Sequence, residues 1–166
     1  MVDINYRVHV TPDRAFVKIS NKASYLNCEP LRKFFADQDK AGQKRYVIDF
    51  KNCSSMDSTF LGILVSVALK IRTNQEGGNM VLLNLTGRNL ETVCNLGIHQ
   101  ITEVSSEEIT DAQQLEQLAQ ISSSSSEPSV GSDTIYKAHK ALMSLNDKNL
   151  KVFSDVVSYL EQKKED

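Results

Sequence analysis

The stretch from Tyr46 to Leu64 leaves few choices of architecture. Tyr46-Val47-Ile48-Asp49-Phe50 is apolar and aromatic apart from one aspartate, as in a strand covered on both faces. Six of the next eight residues, Lys51 to Ser58, are polar, which predicts a loop. From Leu61 apolar side chains return at Leu64, Val65, Ala68 and Ile71, the spacing of one helical face. This strand, loop and helix place Asp57 and Ser58 at a helix start beside the carboxyl end of a strand. In open α/β sheets, ligand and partner sites collect there.

The remaining composition narrows the class. A chain of 166 residues predicts one domain plus an appendage. A net charge of -2 gives no reason to expect nucleic acid, which usually needs a clustered basic surface. No apolar run reaches the ~18 residues of a membrane span. Met1-Val2-Asp3-Ile4-Asn5 lacks the basic-then-apolar pattern of a signal peptide. Cys28, Cys53 and Cys94 are odd in number and far apart, which predicts reduced thiols in a cytosol and a cytoplasmic protein.

Ile4, Tyr6, Val8 and Val10 alternate with polar residues, the period of a strand with one wet face. Thr11-Pro12-Asp13 is a turn signal, and Ala15 to Ile19 a second strand, so an antiparallel hairpin opens the chain. Asn27 is placed to cap the next helix, with Leu26 and Leu31 spaced as a hydrophobic staple, Leu31, Phe34 and Phe35 as its inner stripe, and Gly42 as its stop. Gly77-Gly78 ends the helix that follows Ser58, and Met80 to Leu83 reads as another covered strand. Thr86 is placed to cap a short helix with Leu90 and Val93 inward and Gly97 as its stop. Ile101 to Val104 reads as an edge strand, and Asp111 to Ile121 as a helix.

Composition then changes. Ser122 to Ser132 is serine-rich and reads as a flexible linker. Ile135, Ala138, Leu142 and Leu145, then Phe153, Val156, Val157 and Leu160, keep helical spacing around a turn at Asn146 to Asn149. The predicted division is a domain over 1–121, a linker over 122–132 and a helical extension over 133–166. The extension is too short for its own core, so it docks on the main domain or on another chain, with a homodimer through these helices as one outcome.

Catalytic motifs are absent. His9, His99 and His139 lie in separate elements without metal-ligand spacing, no Cys-x-x-Cys pair occurs, and no glycine-rich phosphate loop is present. The expectation is no enzyme, no cofactor and no metal. Asp49 and Asp57 are a conceivable carboxylate pair, but Asp49 sits mid-strand, where a structural role suffices. Ser58 has two compatible readings. One is a helix N-cap, worth ~1 kcal/mol. The other is a phosphorylation target, where a phosphate would meet the positive end of the helix dipole.

Asp49-Phe50, Met56-Asp57-Ser58-Thr59-x-Leu61-Gly62, Gly77-Gly78-x-Met80-Val81 and Leu96-Gly97-Ile98 occur in this order. Together they resemble the STAS domain, and more narrowly the bacterial anti-sigma factor antagonists, over residues 4–120. The resemblance implies an α/β fold: a STAS-like mixed β-sheet opened by an antiparallel hairpin, packed with helices, here with a C-terminal helical extension. It implies a partner-switching regulator that, unphosphorylated, binds an anti-sigma factor that is also a serine kinase. Ser58 would be the residue phosphorylated, and a phosphatase would reset it. Asp57, Ser58, Thr59, Phe60 and Leu61 would form the partner-binding element. One departure stands out: the family usually carries glycine where this chain has Phe60, which makes that aromatic a contact anchor or an obstacle. Two other readings remain open. One is a scaffold or sensor subunit that oligomerises through its tail. The other is a small ligand-binding domain or enzyme using a pocket beside Asp57.

Overall fold

Six strands form one sheet in the order β5-β4-β3-β2-β1-β6. The computed structural model describes residues 5–74, 77–105, 119–120 and 129–165. The strands are β1 (Tyr6–Val10), β2 (Ala15–Ala23), β3 (Arg45–Met56), β4 (Asn79–Leu83), β5 (Glu103–Ser105) and β6 (Ala119–Gln120). The helices are α1 (Glu29–Lys40), α2 (Ser58–Asn74), α3 (Gly87–Asn95), α4 (Ser132–Met143) and α5 (Asp147–Glu165), with a 3-10 turn at Ile98–Gln100. β1 runs antiparallel to β2 and to β6. β2, β3, β4 and β5 are mutually parallel neighbours. The expected opening hairpin and mixed sheet are both present.

The parallel centre explains the apolar runs. β3 lies between β2 and β4, and Tyr46, Val47, Ile48 and Phe50 are buried from both sides. The main core joins Val17, Ile19 and Ile48 of the sheet to Leu31 and Phe35 of α1 and to Leu61, Leu64 and Ala68 of α2. A smaller cluster of Phe16, Val47 and Leu83 uses the opposite pleat. Asp49 is buried and structural: its Oδ1 accepts the Lys51 N–H at 2.9 Å and the Asn84 side-chain amide at 2.8 Å, tying β3 to the end of β4.

Three local expectations are corrected. Lys51 to Met56 is a continuation of β3, not a loop. It pairs with the far half of β2 through Ser20–Asn52, Asn21–Cys53, Lys22–Ser55 and Ala23–Met56, with two register shifts. Its polar residues are exposed because this part of the ladder runs past β4, which ends opposite Asp49. Asn27 does not cap α1, whose N-cap is Cys28. Its side chain instead braces the preceding loop, accepting from the Tyr6 hydroxyl at 2.7 Å and the Ser24 N–H at 3.0 Å. The staple fails for the same reason, since Leu26 is 58% exposed. The helix expected over Asp111 to Ile121 falls mostly outside the described residues, and the two inside them, Ala119–Gln120, pair with β1 as a strand. Gly42 and Gly97 do stop their helices, at φ of 84° and 80°.

Residues 122–128 of the serine-rich stretch lie outside the described residues, and Ser132 already belongs to α4. The helical extension forms a hairpin of α4 and α5 seated on the main domain. Val130, Ala138, Leu142 and Phe153 join the same apolar core as the sheet and α2.

Candidate functional site

Two parallel neighbours, β2 and β3, end side by side, and the segments leaving them form one corner. The Asp57 N–H donates to the Ala23 carbonyl at 3.1 Å, locking the two exits together. Asp57 then uses both carboxylate oxygens. Oδ1 accepts the Phe60 N–H at 2.9 Å, and Oδ2 accepts the Tyr25 N–H at 2.8 Å. The first bond is an N-cap: a short acidic side chain satisfies one of the free donors of the first turn of α2. The cap is therefore Asp57, and Ser58 is the first helical residue, which corrects the reading of Ser58 as the cap. The hydroxyl of Ser58 is left free of that duty. Asp49 and Asp57 serve separate networks and do not act as a carboxylate pair.

The Ser58 hydroxyl meets a residue that sequence reasoning set aside. Ser58 Oγ lies 2.8 Å from Nε2 of His139, on α4. His139 is 4% exposed, and its Nδ1 lies 2.7 Å from the Ile135 carbonyl. A carbonyl only accepts, so Nδ1 carries the proton. In the neutral ring Nε2 then offers a lone pair, and Ser58 donates to it. The imidazole also packs edge-on against Phe153 of α5, with centroids 5.4 Å apart. No local pattern could have revealed this pair, because its members stand 81 residues apart. The nearest signal was the stripe of Ile135, Ala138 and Leu142, which puts His139 beside the docking face of its helix.

The other expected site residues divide by exposure. Thr59, Phe60 and Leu61 are all buried. Phe60 is fully inaccessible and packs edge-on against Phe50 of β3, with centroids 6.4 Å apart. It is a core residue, neither an anchor displayed to a partner nor an obstacle on the surface. Only Asp57 and Ser58 of the expected element reach solvent, each in part. Two large apolar side chains are exposed in the loop whose Tyr25 N–H Asp57 holds, Tyr25 and Leu26, and neither was expected from sequence to belong to the site.

The chemistry of the surroundings is quiet. Burial pushes the Cys28 thiol up to about 12, with nearby Asp57 adding to the rise, and pushes Cys53 to about 11. Neither is a thiolate nucleophile at neutral pH. Among the described residues no three His, Cys, Asp or Glu side chains gather as metal ligands. A cleft of about 450 Å³ runs between α1, α2 and α4, lined by Arg32, Phe35, Tyr46, Ser66, Lys70 and Lys137 among others. Asp57, Ser58 and His139 are not among its lining residues. Ser58 and His139 have the reach of a nucleophile and base, but that cleft does not serve them.

No family model matches the sequence, and no curated protein is detectably similar to it. Solved structures do match. The anti-sigma factor antagonist SpoIIAA in its unphosphorylated form shares 15% identity at a TM-score of 0.52, covering 68% of this chain and 96% of that one. The Bacillus SpoIIAA structure in the phosphorylated form gives 16% and 0.52, over 68% and 97%. An anti-sigma factor antagonist from Mycobacterium paratuberculosis gives 14% and 0.55, over 67% and 92%. At these identities the likeness is one of fold. The chain has the STAS fold of the anti-sigma factor antagonists, with about a third of its length outside the likeness. Among the described residues, no helix is long and apolar enough to cross a membrane.

Proposed function

We propose that this chain is a cytoplasmic, phosphorylation-controlled partner-switching regulator and not an enzyme. In its unphosphorylated form it binds an anti-sigma factor that is also a serine kinase. The observation that carries this reading is the Asp57–Ser58 corner: a serine hydroxyl at the first turn of α2, not used as the cap, on a fold that SpoIIAA presents in unphosphorylated and phosphorylated forms. Asp57, Ser58 and the exposed Tyr25 and Leu26 form the surface offered to the partner. Phosphorylation of Ser58 by the kinase, with ATP as donor, adds about -1.5 to -2 charges next to Asp57. Charge and volume added within a tight interface cost more than rim contacts return, so the complex parts. A phosphatase resets the switch. A second copy of the chain would use the exposed stripe of Val152, Val156 and Tyr159 on α5. The test is the intact mass of protein taken from its own cells, with the modified residue mapped. A phosphate on Ser58 is the expected result, and a chain unmodified at Ser58 under all growth conditions would sink the reading.

A further inference from the structure

We propose that the α4–α5 hairpin is a detachable lid over Ser58: seated, it holds the serine hydroxyl, and it must lift before that hydroxyl can receive a phosphoryl group. This rests on the reading of Ser58 as the modified residue.

Besides the apolar seat of Ala138, Leu142 and Phe153 on the core, the lid is fastened at three places. At the corner, His139 takes the Ser58 hydroxyl, and one turn along α2 the two helices meet backbone to backbone. A Cβ placed on Gly62 would lie 2.2 Å from the Ala138 carbonyl oxygen, so glycine alone admits α4 this closely. Before α4, the Val130 N–H donates to the Tyr25 carbonyl at 2.9 Å, on the same peptide segment that Asp57 grips. At the far end the side-chain amides of Asn146 and Asn149 donate to the Leu96 carbonyl at 3.2 and 2.8 Å. These two bonds satisfy a carbonyl left free where α3 ends.

None of these attachments is a rung of the sheet, whose strand pairings among the described residues do not involve the hairpin. The hairpin can therefore lift as a unit while the sheet stays intact, the kind of sub-global opening that proteins undergo. In the seated state the side-chain oxygen of fully buried Asn149 has no hydrogen-bond partner among the described residues.

Transfer to Ser58 needs what the lid occupies. It forms a bond from Oγ to the γ-phosphorus of ATP, breaks that phosphorus's bond to the bridging oxygen, and releases ADP. The hydroxyl proton, which points at His139 in the seated state, passes to a base of the kinase. The phosphoryl group then stands where the imidazole ring packs, beside the carboxylate of Asp57, and the hairpin cannot return to its seat.

The test installs phosphoserine at position 58 of the full chain during synthesis, so it does not depend on whether cells phosphorylate that residue. Intact mass from cells reads the function, and this experiment reads the lid. Amide hydrogen exchange is compared with the unmodified chain. We expect exchange over 132–165 to rise at least about tenfold while the amides of β1 to β4 keep their rates. Unchanged or slower exchange in the hairpin, or equal acceleration in the strands, would overturn the proposal. A second measurement uses Ser58→Cys with Cys94→Ser and a polymer-linked maleimide. Adding Asn149→Ala, at the far clip, should speed labelling at position 58 about fivefold or more if the hairpin lifts as one body. An unchanged labelling rate would make it a fixed part of the fold.

Discussion

Asp57→Ala removes an N-cap and the bond that fixes Tyr25 in the neighbouring loop. The expected loss is about 1–2 kcal/mol of stability, read from denaturant unfolding. Ser58→Ala acts differently. It removes the hydroxyl that satisfies a buried imidazole nitrogen, so it should cost about 1–3 kcal/mol even though Ser58 caps nothing. Ser58→Ala combined with His139→Phe should recover part of that loss, because the orphaned polar group goes with it; a purely additive double variant would count against the pair. The buried thiols set a pH dependence with a definite sign. Cys28 is raised from 9.0 to about 12, first by burial and then by Asp57, and burial likewise raises Tyr46 to about 12. Folding favours the protonated forms, so their stabilising effect is complete below about pH 9 and declines as pH rises toward 12. Urea midpoints should fall across that window, and Cys28→Ala should make the fall shallower.

At the scale of elements, the strands and helices with strong periodicity were legible in the sequence. The Ala15 to Ile19 and Tyr46 to Phe50 runs, the Leu31–Phe35 stripe and the glycine stops at 42 and 97 all specify their own conformation. The failures share a physical cause. Lys51 to Met56 reads as loop because its residues are polar, yet its strand geometry is imposed by the edge of β2 beside it. Asn27 and Ser58 both have capping chemistry, but Asn27 is drawn to Tyr6 and Ser24, and Asp57 reaches the free amide before Ser58 can. Competition of this kind is settled by tertiary neighbours. The candidate site was legible as far as the placing of Asp57 and Ser58 at a helix start; the burial of Phe60 and the presence of His139 were not, since each depends on which helix packs where. Gly62 shows how far such contact goes. Gly62→Ala improves helix propensity and would ordinarily stabilise α2 by up to ~1 kcal/mol. Here its methyl collides with the Ala138 carbonyl, so the expected net effect is a loss of about 1–3 kcal/mol, read as a lower urea midpoint. A stabilised variant would mean α4 does not rest on α2.

The molecule as a whole poses the question of how much the hairpin contributes to the fold. SpoIIAA matches over 96% of its own length while covering 68% of this chain, so about a third of this chain has no counterpart there. In this chain, however, Val130, Ala138, Leu142 and Phe153 belong to the central core, and α2 has become a helix buried on two sides. Its sequence reflects this: Leu61, Ile63, Leu64 and Val65 are consecutive apolar residues interrupted by Gly62 alone, all buried, where a helix facing water on one side would carry polar residues at one or two of those places. A chain truncated after Ser122 should therefore still fold, because the sheet ladders and the contacts of α1 and α2 with the sheet survive. It should do so with a lower melting temperature and with an apolar flank of α2 bare to water. Such a patch drives association. The expected behaviour is a single cooperative unfolding transition at a reduced urea midpoint, together with concentration-dependent oligomers in light scattering. Loss of cooperative unfolding would make the hairpin an obligatory part of the core. An unchanged midpoint would mean that docking of α4 and α5 adds nothing to the stability of the sheet.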